Sequence, residues 1–569
     1  MAVVAIVARL SVMRLLGFAS SRVRFATFAD FLRLSGSMGG ATLLVMPLAL
    51  LVGWAATVTV LVEAAFSWGT LMALAAWPRA WREWRRWIDT PGQRKRVLVW
   101  GCSDAEELLL RSLRQHPENL YQVVGLIGEH VSEIGMRIDG VPVVATTDHW
   151  RSVALRRGVD ELFVVSGRQT GNVVRRLRDE AESIQVRLQV LPSYHQLLSG
   201  DVRAVPRPVS IEDLLQRKTI ELHSDVLSRW LEGRRVLVTG AAGSIGSELS
   251  RQILACAPQR VILVDRSEQG VFELGREHGE DPRVAVCLAD VTQDARMDEV
   301  FACHRPEIVF HAAAYKHVPI LEEFPQEAVR NIVGATIFVV GAAERYGVES
   351  LVLVSTDKAV SPTSVMGACK RIAERYLQAI ADESPCRLVA VRFGNVLDSA
   401  GSVVPIFREQ IARGEALTVT HPEMRRFFMT IPEAAQLVLH AGAMGCGGEI
   451  FVLKMGEPVS IVELARELIR LSGLVPDVDI PIRFSGLRPG EKLRERLVDD
   501  TERLAPTSHP DIEVVQSQTL PEAGFAIQAR SLVAFAQGHG AEGVKQRIGM
   551  LVPEYQPECH RSACAQRVG

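Results

Sequence analysis

The densest run of chemically able side chains in the sequence is Thr356-Asp357-Lys358, directly after the apolar strand pattern Leu351-Val-Leu-Val-Ser355. A hydroxyl, a carboxyl and an amine at the carboxyl end of a strand stand where doubly wound sheets bind ligands. A carboxyl beside an amine can hold the opposite protonation state once a desolvated site moves both pKa values toward neutrality, so the trio can supply a general acid and a general base together. Further on, Met366 and Lys370 are four positions apart on a helix that Pro362 is expected to initiate. That spacing puts them on one face. A thioether has no acid or base chemistry, so this helix can offer a lysine but no proton acceptor beside it. The base must come from elsewhere.

A second cluster is built to meet phosphate. Arg235–Thr239 reads as a strand and residues 247–257 as a helix, and between them runs Gly240-Ala-Ala-Gly243-Ser244-Ile245-Gly246. Glycines in a strand-to-helix turn let backbone N–H groups approach a pyrophosphate, and Gly246 allows close helix packing. The next strand, Val261-Ile-Leu-Val-Asp265, ends in a carboxylate 19 positions after Gly246, where it can accept hydrogen bonds from both adenosine ribose hydroxyls. Asp265 favours NAD; Arg266 beside it could pair a 2′-phosphate, which leaves NADP the less favoured cofactor. The third strand, Val284–Leu288, leads to Asp290-Val291, with Asp290 placed to meet the adenine edge.

These residues need elements to hold them. With 569 residues the chain is expected to form about three structural units. The predicted architecture is α/β: N-terminal transmembrane helices, a small Rossmann-like domain, then a doubly wound parallel-sheet domain with a smaller C-terminal substrate lobe. The expected boundaries are 1–93 for the membrane helices, 94–200 for the small domain, 201–233 for a linker, 234–510 for the catalytic domain with its lobe at 396–505, and 511–569 for a polar tail. The membrane expectation rests on Leu34–Val62, 29 residues without a charge, where roughly 20 span a bilayer core. A shorter uncharged run covers Ala64–Pro78, and arginines flank the pair on both sides, which suits a hairpin with both ends in the cytoplasm. In the small domain the turn Gly101-Cys-Ser-Asp-Ala-Glu106 has Ser103 and Glu106 in the places of the second and third fingerprint glycines. Glu106 would set a negative charge where a pyrophosphate approaches, so the domain is expected to be structural or regulatory.

Composition excludes other classes. Lys+Arg number 64 and Asp+Glu 66, a net charge of -2, so no global basic field exists to hold nucleic acid. The nine cysteines include no Cys-x-x-Cys pair, so the sequence suggests neither a disulfide framework nor a metal site.

The sequence resembles the extended short-chain dehydrogenase/reductases that act on nucleotide sugars. The matching stretches are Val236–Ser250, His311-Ala312-Ala313-Ala-Tyr-Lys316-His317-Val-Pro319, Ser355-Thr-Asp-Lys-Ala359, Pro362-Thr-Ser-Val-Met-Gly-Ala-Cys-Lys370, Arg392-Phe-Gly-Asn-Val396 and Arg488-Pro-Gly-Glu-Lys492. More narrowly it resembles the large membrane-anchored UDP-N-acetylglucosamine 4,6-dehydratases of bacterial surface-polysaccharide and glycoprotein pathways, from Arg94 to about Pro510. Ordinary members of the class use Tyr-x-x-x-Lys, and none of this chain's tyrosines has a lysine four positions on. The resemblance implies C4 oxidation by NAD, C5 deprotonation with loss of the C6 hydroxyl, and hydride return to C6. It assigns Asp357 as acid at the C6 oxygen, Lys358 as base at C5 and Thr356 as the hydrogen-bond link at the 4-hydroxyl. Lys370 would hold the nicotinamide ribose, Met366 would pack near the sugar, and Ala312 and Ala313 would line the cofactor. Lys316, His317 and Asn395 are candidate sugar or phosphate contacts, and Arg426 and Arg488 candidate diphosphate clamps, since a guanidinium fork matches phosphate oxygens. A homo-oligomer at the bacterial inner membrane with a cytoplasmic catalytic domain is the implied setting.

Three departures from the family pattern bear on the hexose preference: Asp398 and Ala400 replace a Gly and an Arg, and Arg425 stands in place of a Thr. The N-terminus is also shorter than the roughly four spans usual in relatives. Two other functions stay open. A UDP-sugar 4-epimerase needs a base at C4 but no acid at C6, and a catalytically silent nucleotide-sugar sensor or scaffold of a polysaccharide complex needs neither.

Overall fold

The protein is described from a computed structural model, which covers residues 46–47, 50–59, 61–62, 65–66, 95–115, 121–165, 171–191, 207–214, 225–517 and 521–557. The expected N-terminal transmembrane helices are a correction. Among the described residues no helix is long and apolar enough to cross a membrane. In the stretch from Met46 to Phe66 the helical residues are interrupted at Gly53, whose φ of 116° takes the backbone out of the right-handed helix region. Residues 1–45 and 67–94 lie outside the described residues, and with them the expected flanking arginines.

Two parallel sheets carry the rest. In the first, strands β1 (Lys95–Trp100), β2 (Tyr121–Gly128), β3 (Arg137–Ile138), β4 (Val141–Thr146), β5 (Glu161–Val165), β6 (Arg187–Leu191) and β7 (Arg207–Pro208) stand in the order β3-β4-β2-β1-β5-β6-β7. Helix α1 (Asp104–Gln115) follows β1 and helix α2 (Gly171–Ser183) follows β5. The degenerate turn is closed by its own side chain. The buried Glu106 carboxylate accepts from the Ser103 N–H and the Ser103 hydroxyl, both at 2.8 Å, and a Cβ at Gly101 would lie 2.8 Å from it. A carboxylate thus sits where the fingerprint would seat a phosphate.

The second sheet begins with β8 (Arg235–Thr239), β9 (Arg260–Asp265), β10 (Val284–Leu288), β11 (Ile308–His311), β12 (Ser350–Val354) and β13 (Arg387–Arg392). All but the edge strand β10, which is only partly buried, are covered on both faces, which is why they read as continuous hydrophobic runs. Helix α3 (Ser244–Ala255) follows β8 and helix α4 (Val365–Ile380) follows β12. The helix expected from Pro362 starts at Val365, because Ser364 caps it by accepting from the Gly367 N–H.

Beyond Arg392 the chain builds the lobe from short ladders: β14 (Asn395–Val396) with β17 (Phe428–Met429), β15 (Leu417–Val419) with β20 (Ile482–Phe484), and β16 (Arg425–Arg426) with β19 (Val459–Ser460). The large sheet is completed by β18 (Ile450–Leu453), β21 (Glu502–Pro506) and β22 (Ile512–Ser517), in the order β10-β9-β8-β11-β12-β13-β18-β22-β21. The strand order reverses between β8 and β11, the switch point at which such sheets bind ligands.

The packed core continues past residue 510. Strand β22 pairs with β18, and helices α6 (Phe525–Gly538) and α7 (Ala541–Leu551) bury Phe525, Leu532, Val544 and Ile548 in the same cluster as Met366. Within the expected linker, the described residues 207–214 are packed: Arg207–Pro208 pairs with β6, and Ile211 and Leu214 are buried. They share an apolar cluster with Leu464 and Leu468 of helix α5 (Ile461–Leu471) in the lobe. Beside that cluster Arg178 of α2 pairs with Glu467 of α5, both side chains buried.

Candidate active site

The turn after β8 admits no side chain. Gly240 has φ 66°, and a Cβ there would lie 2.7 Å from the Ala313 nitrogen; a Cβ at Gly246 would lie 2.1 Å from the Gly240 carbonyl oxygen. The helix starts at Ser244, three residues before the expected Ser247, so Ser244, Ile245 and Gly246 form its first turn. Such a cradle fits a dinucleotide pyrophosphate approaching backbone N–H groups. The Asp265 carboxylate accepts from the Ala242 N–H at 3.0 Å and the Ser267 N–H at 2.9 Å, which pins it beside the turn. Arg266 lies 4.3 Å from the centroid of the Tyr315 ring and 4.0 Å from Asp290, so its charge is engaged by the protein's own aromatic and carboxylate groups. Asp265, Arg266, Val291, Ala312 and Ala313 line one cavity together with Gly240 and Gly243. Asp290 accepts from the Thr292 N–H at 2.9 Å.

Sequence reasoning missed four lining residues of that cavity, Val264, Ala314, Tyr315 and Asn331. Asn331 sits in a π-helical turn, Val329–Gly334, and its Oδ1 accepts from the Tyr315 N–H at 2.6 Å. Such turns recur at functional sites, but no pattern of residue types announces one.

The polar trio sits at the carboxyl end of β12, as its spacing predicts. Asp357 is fully buried. Its Oδ1 accepts from the Thr356 hydroxyl at 2.9 Å and from Lys358 Nζ at 2.8 Å, and Lys358 Nζ also donates to Asn395 Oδ1 at 3.0 Å. Asp357 Oδ2 has no hydrogen-bond partner among the described residues. A buried carboxylate oxygen left without a donor costs about 1–3 kcal/mol or more, so an incoming donor suits it best. Close by, Lys370 is buried and donates to the Val354 carbonyl at 2.8 Å, and burial lowers its pKa to about 8. Met366 is buried in the core on the same helix. His311 at the end of β11 was not anticipated. It shares a 2.7 Å hydrogen bond with the Thr239 hydroxyl, and burial, aided by the nearby Lys370 charge, lowers its pKa to about 3 and keeps it neutral.

Lys316, His317, Asn395, Arg426 and Arg488 line a second cavity together with Lys358. The sheet and lobe therefore bring every residue expected to contact substrate to the cavity that Lys358 lines. The two arginines differ. The Arg426 guanidinium donates to the carbonyls of Arg425, Leu493 and Lys492 and lies 3.7 Å from Glu491, so it holds the Arg488 loop in place. Arg488 is exposed and has no ion-pair partner among the described residues, which leaves its fork open to an anion. Burial lowers the pKa of Lys316, and its Nζ donates to the Ala400 carbonyl at 2.5 Å, while the Ala400 N–H donates to Ser244 Oγ at 3.2 Å. Burial also lowers the pKa of His317, with the Lys316 charge adding to the effect. Lys492, also in this cavity, donates to the Val360 carbonyl at 2.7 Å, and its pKa is lowered by burial. Asp398, in place of the family's glycine, has φ 59°, a left-handed conformation that aspartate tolerates better than most residues, and its carboxylate pairs with Arg408 at 2.6 Å. Arg425 is exposed and donates to the Pro458 carbonyl at 3.4 Å; nothing in the structure ties it to a hexose preference.

Residues 236–517 match the family described as polysaccharide biosynthesis protein. The chain is 41% identical over 430 residues to the capsular polysaccharide biosynthesis protein CapD of Staphylococcus aureus, covering 74% of this chain and 72% of that protein. It is 37% identical over 280 residues to a UDP-glucose 4-epimerase of Rickettsia conorii, covering 47% of this chain and 79% of the epimerase. Among solved structures, a double mutant of the dTDP-glucose 4,6-dehydratase DesIV from Streptomyces venezuelae, with NAD bound, matches at 22% identity and a TM-score of 0.42, covering 46% of this chain and 88% of that one.

Proposed function

Because this chain belongs to the polysaccharide biosynthesis protein family that CapD represents, we propose that it dehydrates a UDP-N-acetylhexosamine, UDP-N-acetylglucosamine in the first instance, to the 4-keto-6-deoxy sugar with NAD as resident cofactor. The observation that carries this reading is the buried Asp357, with one oxygen free, hydrogen-bonded to Lys358 in a site where Met366 replaces a catalytic tyrosine. A reaction confined to C4 oxidation needs one proton acceptor, whereas dehydration needs an acid as well as a base.

NAD supplies a reversible hydride acceptor when bound. The Gly240–Gly246 turn and Asp265 would hold its pyrophosphate and ribose, with Lys370 at the nicotinamide ribose. Thr356, which donates to Asp357 in the structure, would relay the sugar 4-hydroxyl proton to the Asp357 carboxylate as hydride leaves C4. Lys358 as a free amine takes the C5 proton, which the C4 ketone has made acidic. Asp357 protonates the departing C6 oxygen, which leaves as water. Lys358 then returns its proton to C5 as hydride comes back to C6, so both side chains end in the state in which they began. Arg488 faces the diphosphate, and Arg426 fixes the loop that carries it.

Proton NMR in deuterated water of the full chain with NAD and UDP-N-acetylglucosamine tests the reading. A 6-methyl signal with a 4-keto or hydrate pattern is expected. The epimerase-like relative supports a second reading. If UDP-N-acetylgalactosamine formed with no methyl signal, 4-epimerisation would replace dehydration.

A further inference from the structure

The family match ends at residue 517, but the chain returns to the active site after it. Three tethers run from the C-terminal segment to the first two turns of α4, the helix of Met366 and Lys370, and to the residues just before it. The Gln556 N–H donates to the Pro362 carbonyl at 3.0 Å. Glu554 lies 3.1 Å from Arg371 Nε. Lys545 lies 3.3 Å from Glu322, whose other oxygen accepts from the Val365 N–H at 2.6 Å, one of the amides a helix start leaves without a partner.

Arg371 extends this connection into the core. Its side chain is 9% exposed and lies 2.7 Å from Glu502, which with Glu374 holds the fully buried Arg392. Glu374 in turn accepts from the Ser355 hydroxyl at 2.6 Å, the residue before the catalytic trio. Buried ion pairs of this kind add little net stability, because desolvation offsets their attraction, but they specify where each group sits. Two routes thus lead from the C-terminal segment toward the site, one along α4 to Lys370 and one through buried carboxylates to Ser355, which directly precedes Thr356.

We propose that residues 525–557 are a positioning element of the active site, and that Glu554 and Lys545 set the start of α4 and with it the placement of Lys370 and the Thr356–Lys358 turn. The proposal rests on the proposed function for its kinetic readout alone. The test uses the full chain with Glu554→Ala and Lys545→Ala combined, Glu554→Gln for partial rescue, and the exposed Glu542→Ala as control. Hydrogen–deuterium exchange is followed in peptides covering 359–372 and 235–239, and turnover of UDP-N-acetylglucosamine is measured with NAD present. The expected result is faster exchange confined to 359–372. A kcat lowered about tenfold or more with KM nearly unchanged should accompany it, since displacing a group by about 1 Å can cost about 10²-fold. Unchanged exchange in 359–372, or an equal rise in 235–239 that signals only general loosening, overturns the proposal. If the unsubstituted chain turned over no UDP-sugar, the proposed function would fail while the exchange result still decided this inference.

Discussion

Asp357 has one oxygen shared between Thr356 and Lys358 and another that meets no donor among the described residues. Replacing it by Asn retains shape and removes the acid. Asp357→Asn is expected to lower product formation about 10²–10⁴-fold, the range for general acid catalysis, with NAD affinity unchanged. NMR of the product beside a fluorescence titration of NAD checks both. Lys370 makes a different prediction. Its pKa falls from 10.5 to about 8 because burial disfavours the ammonium form. Between those values the unfolded chain holds a proton that the folded chain has released, so stability rises with pH across the window. Measured against Lys370→Met, the unsubstituted protein should gain about 3 kcal/mol between pH 8 and 10.5. Urea unfolding at both ends gives the difference, and a flat one would remove burial as the cause. At this scale residue type and spacing were informative: the trio, Lys370 and the Asp265 carboxylate all stand where the pattern predicts. His311 was not legible, because its partner Thr239 is brought to it only by pairing of β8 with β11.

Elements decide which chemistry a motif can host. Two of the strand–turn–helix units among the described residues begin like a dinucleotide fingerprint. In one, Gly246 lets α3 press against the turn and leaves its N–H groups open; in the other, Glu106 fills the same place with a carboxylate. Gly246→Ala would set a Cβ 2.1 Å from a backbone oxygen, so helix or turn must move. The expected loss is about 1–3 kcal/mol of stability, as for other overpacked sites, together with loss of NAD binding. Thermal unfolding with and without NAD reads both effects, and an NAD-induced shift equal to that of the unsubstituted protein would mean the turn does not seat the cofactor. Strand identities were readable from the apolar runs, since a parallel sheet covered on both faces leaves little alternation. Helix starts were read less well. Ser364 and Gly243 place them from caps that depend on backbone geometry more than on periodicity.

For the whole molecule, the small domain and the substrate lobe share one apolar cluster, with Arg178 and Glu467 paired beside it. Removing one partner of a buried pair usually costs about 3–5 kcal/mol. Arg178→Ala should fall at the low end, because Arg175 and Arg470, 3.6 and 3.1 Å from Glu467, still offer it positive charge. Arg178→Met with Glu467→Leu should recover most of the loss. A double-mutant cycle by urea unfolding measures this, and an additive result would show that the two side chains do not interact. The amino-acid sequence alone determined the sheet class, the glycine turn after β8 and the polar trio after β12, because apolar runs, glycine spacing and adjacent polar groups are local properties. Only the tertiary structure decided that Arg426 holds a loop while Arg488 stays open, that Glu106 closes the first turn, and that the segment after residue 517 reaches back to α4. Those outcomes depend on partners distant along the chain, and a side chain's free valences are known only once packing has assigned them.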